Sequence, residues 1–119
     1  MNNRLNARPS KLLAALALAA APLLIPAEAF AVDAAAAQAL ARQSNCFKCH
    51  AVDKKKEGPA WKDVAAKLKG NKDAQAMLTK HLTTGPKVKF EDGHTEDHPI
   101  LKAKSPEDTK NLVDWILSL

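Results

Sequence analysis

Most of the features that would commit a chain of 119 residues to a familiar function class are missing. Aromatic residues are scarce: three phenylalanines, two tryptophans and no tyrosine, none of them interleaved with basic residues. That removes the stacking-and-charge pattern of a nucleic-acid binder, for which a net charge of +5 is only a modest argument. No second long apolar run follows the one at Leu12–Ile25, and that one is shorter than the roughly 20 residues a spanning helix needs. There is no parallel-sheet pattern, no internal repeat and no low-complexity segment beyond a patch of alanines. No base stands beside a nucleophile and no paired carboxylates sit among small residues, so nothing marks a substrate pocket and no enzyme is predicted. Methionine is limited to Met1 and Met77, and cysteine to Cys46 and Cys49.

What is present begins with a leader. Arg4, Arg8 and Lys11 form a basic start, Leu12–Ile25 an apolar middle broken only by Pro22, and Ala27-Glu28-Ala29 overlaps Ala29-Phe30-Ala31 as a small-residue exit. These are the marks of a secretory signal peptide over residues 1–31, cleaved after Ala29 or Ala31. An uncleaved membrane anchor is the plainer reading, and the short run with a cleavage pattern directly behind it argues against one. The remaining domain, 32–119, has 88 residues and no membrane span, and loss of three basic residues and Glu28 brings its net charge to +3. A chain that small buries a thin core and needs a staple such as a disulfide, metal or cofactor. Export to an oxidising space suggests a Cys46–Cys49 disulfide. Cysteines this close together, however, close a loop too short to contribute much, and a histidine follows them immediately.

The domain reads as all-α. Ala34 to Gln43 is alanine-rich, carries Leu40 on its face and is opened by Asp33 as N-cap. A lysine-rich loop from Val52 is closed by the breaker pair Gly58-Pro59. Trp61, Val64, Ala65 and Leu68 recur at helical spacing up to Gly70, the predicted C-cap. Asp73 opens a third helix with the stripe Ala74, Met77, Leu78, His81, Leu82. From Thr83 to Lys104 there is no helical period, and the alternation around Val88 and Phe90 before Asp92-Gly93 allows a short hairpin. So long an irregular segment in a small domain points to function. Ser105 as N-cap, Pro106 at the first helical position and the acidic Glu107 and Asp108 start the last helix, whose stripe is Leu112, Trp115, Ile116 and Leu119.

Cys46-Phe47-Lys48-Cys49-His50 is the attachment sequence of a covalently bound haem c. Two thiols on one tight turn can reach the two vinyl groups on one edge of a porphyrin, and the histidine just after projects its imidazole under the iron. The competing reading is a zinc site, with the two cysteines and two histidines completing a tetrahedron. The downstream pair, His94 and His98, has suitable internal spacing but lies beyond two helices, so haem is the better account. A thioredoxin-like redox pair is ruled out by the lack of any βαβ pattern.

With these residues in view, the sequence resembles the small bacterial class I cytochromes c of the periplasmic c-551/c-552 kind, from about Ala34 to Leu119. The stretches that carry the resemblance are Cys46 to Asp53, then Gly58-Pro59-Ala60-Trp61-Lys62-Asp63-Val64-Ala65-Ala66-Lys67, and the closing Leu112-Val113-Asp114-Trp115-Ile116-Leu117. The resemblance implies a fold of about four helices wrapped around one haem, the first and last crossing beside it. It also implies that the Pro59 carbonyl accepts a hydrogen bond from His50, raising the basicity of that ring. The chain departs from the family at the distal ligand. The usual methionine of a Met-Pro pair is absent from the loop before the last helix, and His98-Pro99 stands in its place. His98 is therefore the predicted sixth ligand, with His50, of a bis-histidine iron.

Three residues compete with it. His94 lies beside Gly93 and could reach the iron if the loop folds differently; Met77 falls on an apolar stripe and reads as core. His81, on the same stripe, is either a half-buried histidine or a contact to a haem propionate, where the family often has arginine. Function then divides between an electron carrier, the leading reading, and a small-ligand-binding or sensor haem protein whose distal histidine dissociates, with Glu91 to Asp97 as its moving element. Lys48, Lys54, Lys55, Lys56 and Lys62 crowd around the cysteine motif. Such a run is usually a solvated face, but around a redox centre it can steer a redox partner that is acidic at its docking face.

Overall fold

The computed structural model describes residues 20–23 and 31–119; of the predicted signal peptide, residues 1–19 and 24–30 lie outside the described residues. No helix among the described residues is long and apolar enough to cross a membrane.

Helix α1 spans Ala34–Gln43 and starts where predicted, the Asp33 carboxylate accepting from the Ala36 amide at 2.9 Å. Its alanines serve close approach: Ala37 and Ala41 are fully buried against the C-terminal helix α4, Pro106–Leu117. Asn111 of α4 fixes the start of α1 by accepting from the Asp33 amide and donating to the Asp33 carbonyl, both at 2.8 Å. Helix α4 is capped by Ser105, whose hydroxyl accepts from Asp108 N at 3.2 Å, with Pro106 in the first turn. Its buried face, Leu112, Val113, Trp115 and Ile116, is the centre of the core, and each side chain of that kind contributes about 1.5–3 kcal/mol on burial.

Helix α2, Trp61–Leu68, buries Trp61 and Ala65 against α4, with the two tryptophan rings edge to face at 5.5 Å. Lys69 is its last capping residue and Gly70, at φ 77°, takes the left-handed position just beyond. Helix α3, Ala74–Thr84, also packs on α4, but Ala74 is its one fully buried residue. Leu78, His81 and Leu82 are half-buried and Met77 is 51% exposed, so Met77 is not the core residue its spacing suggested. The physical reason is what the stripe faces: it lines a cavity, not another helix.

The helical architecture carries one small addition, the short hairpin that the alternation around Val88 and Phe90 allowed. After Gly85, at φ 60°, strands β1 (Lys87–Lys89) and β2 (Thr95–Asp97) form an antiparallel hairpin with Lys87 opposite Asp97 and Lys89 opposite Thr95. The Asp92-Gly93 turn makes it, Gly93 sitting at φ 93° where a side chain would be strained. The fold is otherwise helical.

Candidate functional site

Asn45, in the left-handed conformation at φ 57°, turns the chain out of α1 into a single 3₁₀ turn over Cys46–Lys48. The Cys46 carbonyl accepts from the amides of both Cys49 (3.2 Å) and His50 (2.9 Å), so the two thiols and the imidazole leave one tight turn. The cysteines are not joined to each other. Burial pushes the Cys46 thiol above its usual pKa; Cys49 is also raised, by burial and then by its hydrogen bond to Glu57 at 3.4 Å. Both therefore stay protonated at neutral pH.

The loop that follows folds back onto this turn. Gly58 N donates to the Cys49 carbonyl at 2.7 Å, Trp61 N to Ala51 at 3.0 Å and Lys62 N to Val52 at 2.9 Å. This return brings the Pro59 carbonyl to 2.8 Å from His50 Nδ1, which donates to it, and leaves Nε2 without a partner among the described residues. Trp61 stacks beside the imidazole, centres 5.7 Å apart. Gly58 closes the other approach. A Cβ built there would lie 2.5 Å from His50 Cε1 and 2.8 Å from Nδ1. Gly58→Ala is accordingly expected to displace the ring, costing about 1–3 kcal/mol as overpacking does. Urea unfolding of the holoprotein measures the loss, and the haem spectrum should shift with it.

His98 sits just past β2, its amide donating to the Pro86 carbonyl at 2.9 Å. Its ring repeats the arrangement at His50: Nδ1 donates to the Pro99 carbonyl at 2.9 Å and Nε2 has no partner among the described residues. Burial, with His81 nearby, holds its pKa below the ordinary histidine value and keeps it neutral. The His50 and His98 ring centres are 6.2 Å apart. Two imidazole–metal bonds of about 2.0–2.1 Å, each extended by the radius of the ring, give a separation of little more than 6 Å.

His94 is differently placed. Nδ1 contacts the Asp92 carboxylate, Nε2 lies 3.3 Å from Glu96, and the ring stacks flat on Phe90 at 4.3 Å. Both nitrogens are thus engaged at the hairpin turn, and Asp92 and then Glu96 raise its pKa. Met77 Sδ accepts from Asn71 Nδ2 at 3.5 Å. His81 packs against His98, ring centres 4.4 Å apart.

His50, His81, His94 and His98 all line one cavity of about 1280 Å³, with Cys46 and Cys49 in its wall. That exceeds the 300–1,000 Å³ of an ordinary ligand pocket. These residues fit a haem held covalently at one edge: two thiols on one turn, and two imidazoles with unencumbered Nε2 atoms at a metal-bridging distance.

The cytochrome c family model matches residues 34–119. The chain belongs to the cytochrome c family. Cytochrome c-551 of Pseudomonas aeruginosa is 35% identical over 105 residues, 88% of this chain and 94% of that protein. The crystal structure of the class 1 cytochrome MtoD from Sideroxydans lithotrophicus ES-1 superimposes with a TM-score of 0.71 at 60% identity, covering 74% of this chain and 97% of that one. Nitrosomonas europaea cytochrome c552 gives 0.57 at 36% identity over 69% of this chain and 98% of its own. The protein is thus a small class I c-type cytochrome with one covalently bound haem c, an electron carrier and not an enzyme.

Sequence reasoning missed the two glycines packed against His50 and His98 in this cytochrome. Gly58 was read as a chain breaker only, and Gly85, where a Cβ would meet the His98 carbonyl at 2.7 Å, was not singled out at all. A glycine within the haem-binding segment, or just after an amphipathic helix, was the available signal. The lysines are also less uniform than their spacing suggested. All five are exposed, but Lys55 pairs with Glu91 of the hairpin and Lys56 with the Phe47 carbonyl.

Proposed function

We propose that the mature protein is residues 32–119, a periplasmic monohaem electron carrier with the haem attached through Cys46 and Cys49 and its iron held by His50 and His98. The observation that carries the ligand assignment is the 6.2 Å between the two rings, each with Nδ1 spent on a proline carbonyl and Nε2 left over. The family match beginning at residue 34 supports the domain boundary, and the leader preceding it supports export.

Bound here, haem supplies a one-electron iron couple; the side chains set its potential and its access. The Pro59 carbonyl fixes the His50 tautomer and makes the ring a stronger donor. A second imidazole in place of a thioether favours ferric iron, which lowers the potential. The test is the visible spectrum of the purified holoprotein at neutral pH. Electron transfer by this route requires a low-spin, six-coordinate haem unchanged by carbon monoxide; a high-spin or readily ligated haem overturns it.

Docking uses the lysine rim. Lys48 and Lys56 border the cavity mouth, and Lys54, Lys55 and Lys62 are exposed on the same loop and the helix after it. Rates with an acidic redox partner should fall steeply between low and physiological ionic strength, where the Debye length is about 8 Å. Stopped-flow measurement checks this, and indifference to salt and to Lys54→Glu or Lys62→Glu sinks it.

A further inference from the structure

We infer that His81 is a second distal ligand held in reserve, which takes the iron when His98 leaves it; this rests on the bis-histidine reading above. Among the four histidines, His50 and His98 each commit one nitrogen to a carbonyl and His94 commits both to carboxylates. His81 alone makes no hydrogen bond to protein among the described residues, although it is half-buried in the cavity wall. Its ring nitrogens stay open to the cavity, so what they meet is whatever fills it.

Its position says which part of that group it meets. The His81 ring touches the His98 ring, centres 4.4 Å apart and planes tilted by 59°. A coordinated imidazole has its centre roughly 3 Å from the metal, so His81 lies on the distal side, beside the sixth-ligand position. Withdrawal of His98 opens the space that His81 already faces. His81 is in the last turn of α3, which ends at Gly85 in the left-handed conformation. The alternatives are already occupied: His94 by Asp92 and Glu96, Met77 Sδ by Asn71. The exchange is one neutral nitrogen donor for another. It breaks one Fe–N bond and forms one, with no change of charge or oxidation state. Its consequence is an iron that stays low-spin, and competent in electron transfer, when the segment bearing His98 moves.

The experiment compares holoprotein variants at neutral pH in imidazole-free buffer, by electron paramagnetic resonance and by carbon monoxide binding. His98→Ala, and His98→Asn in case the smaller residue costs the fold, should remain low-spin with bis-imidazole signals. His81→Ala should stay low-spin, because His98 remains to hold the iron. The double variant His81→Ala/His98→Ala should become high-spin and bind carbon monoxide. A high-spin iron in both His98 single variants overturns the inference, as does a low-spin iron that survives in the double variant. Loss of the low-spin signal in His81→Ala alone would make His81 the resident ligand and overturn it too. Failure of the underlying reading is seen separately: His81→Ala/His98→Met then shows no thioether-to-iron absorption band.

Discussion

Replacing His98 by methionine, with His81 changed to alanine so that one distal side chain remains to bind, should raise the reduction potential by on the order of 0.1 V, within the roughly 0.8 V over which axial ligands set haem potentials. The direction follows from donor chemistry. Imidazole is the stronger donor to ferric iron and a thioether favours the ferrous state. The backbone for the exchange is already in place. The His98 amide is tied to Pro86, and Pro99 restricts the preceding residue to extended conformations, so a side chain at this position is delivered in one direction. Redox titration of the variant measures the shift. His94→Ala should leave parent spectrum and potential nearly unaltered, because that ring is engaged by Asp92, Glu96 and Phe90 at the hairpin turn. A potential that does not rise in the methionine variant, or a low-spin spectrum lost in His94→Ala, removes His98 from the iron.

Cys46→Ala/Cys49→Ala should yield a mature chain with no acid-stable haem and little helical circular dichroism. The cause is the distribution of the core. Helix α4 is well served by α1 and α2, but Leu78 and Leu82 of α3 and Val88 of the hairpin border the cavity and are only half-buried. Without a group filling about 1280 Å³, their burial is incomplete, and a chain of this size has little surplus to offset it. Cys46 and Phe47 also pack against the core cluster, and the Phe47 and Trp61 rings lie 5.1 Å apart, so the attachment turn is itself part of the packing. A well-folded double variant carrying a metal in place of haem would contradict the assignment of these thiols.

The helices and the proximal half of the site were legible in the sequence because their signals are local. Asp33 and Ser105 accept the amide hydrogen bonds that start α1 and α4, and each acts within its own turn. Cys46, Cys49 and His50 are brought together by hydrogen bonds spanning four residues or fewer. The hydrophobic period of α4 likewise translates directly into a buried face, since helices lie on three of its sides.

The same period misled at Met77. Spacing reports that a residue shares a face with Ala74 and Leu78, but not whether that face meets another helix or a cavity. Among the histidines, sequence could rank His98 and His94 only by position relative to a family motif and by the residue on either side. Their separation came from contacts that no spacing encodes. His98 keeps an unencumbered nitrogen 6.2 Å, centre to centre, from His50, whereas the hairpin turn draws His94 onto Asp92, Glu96 and Phe90. The requirement for Gly58 and Gly85 has the same origin, a close approach between segments that only the folded chain brings together. Sequence alone thus determined the helices and the tight turn that carries Cys46, Cys49 and His50, because short-range hydrogen bonding and periodicity suffice for them. The tertiary structure decided which histidine rings come together beside that turn and which glycines make room for them, because those depend on distances between parts of the chain that are far apart in sequence.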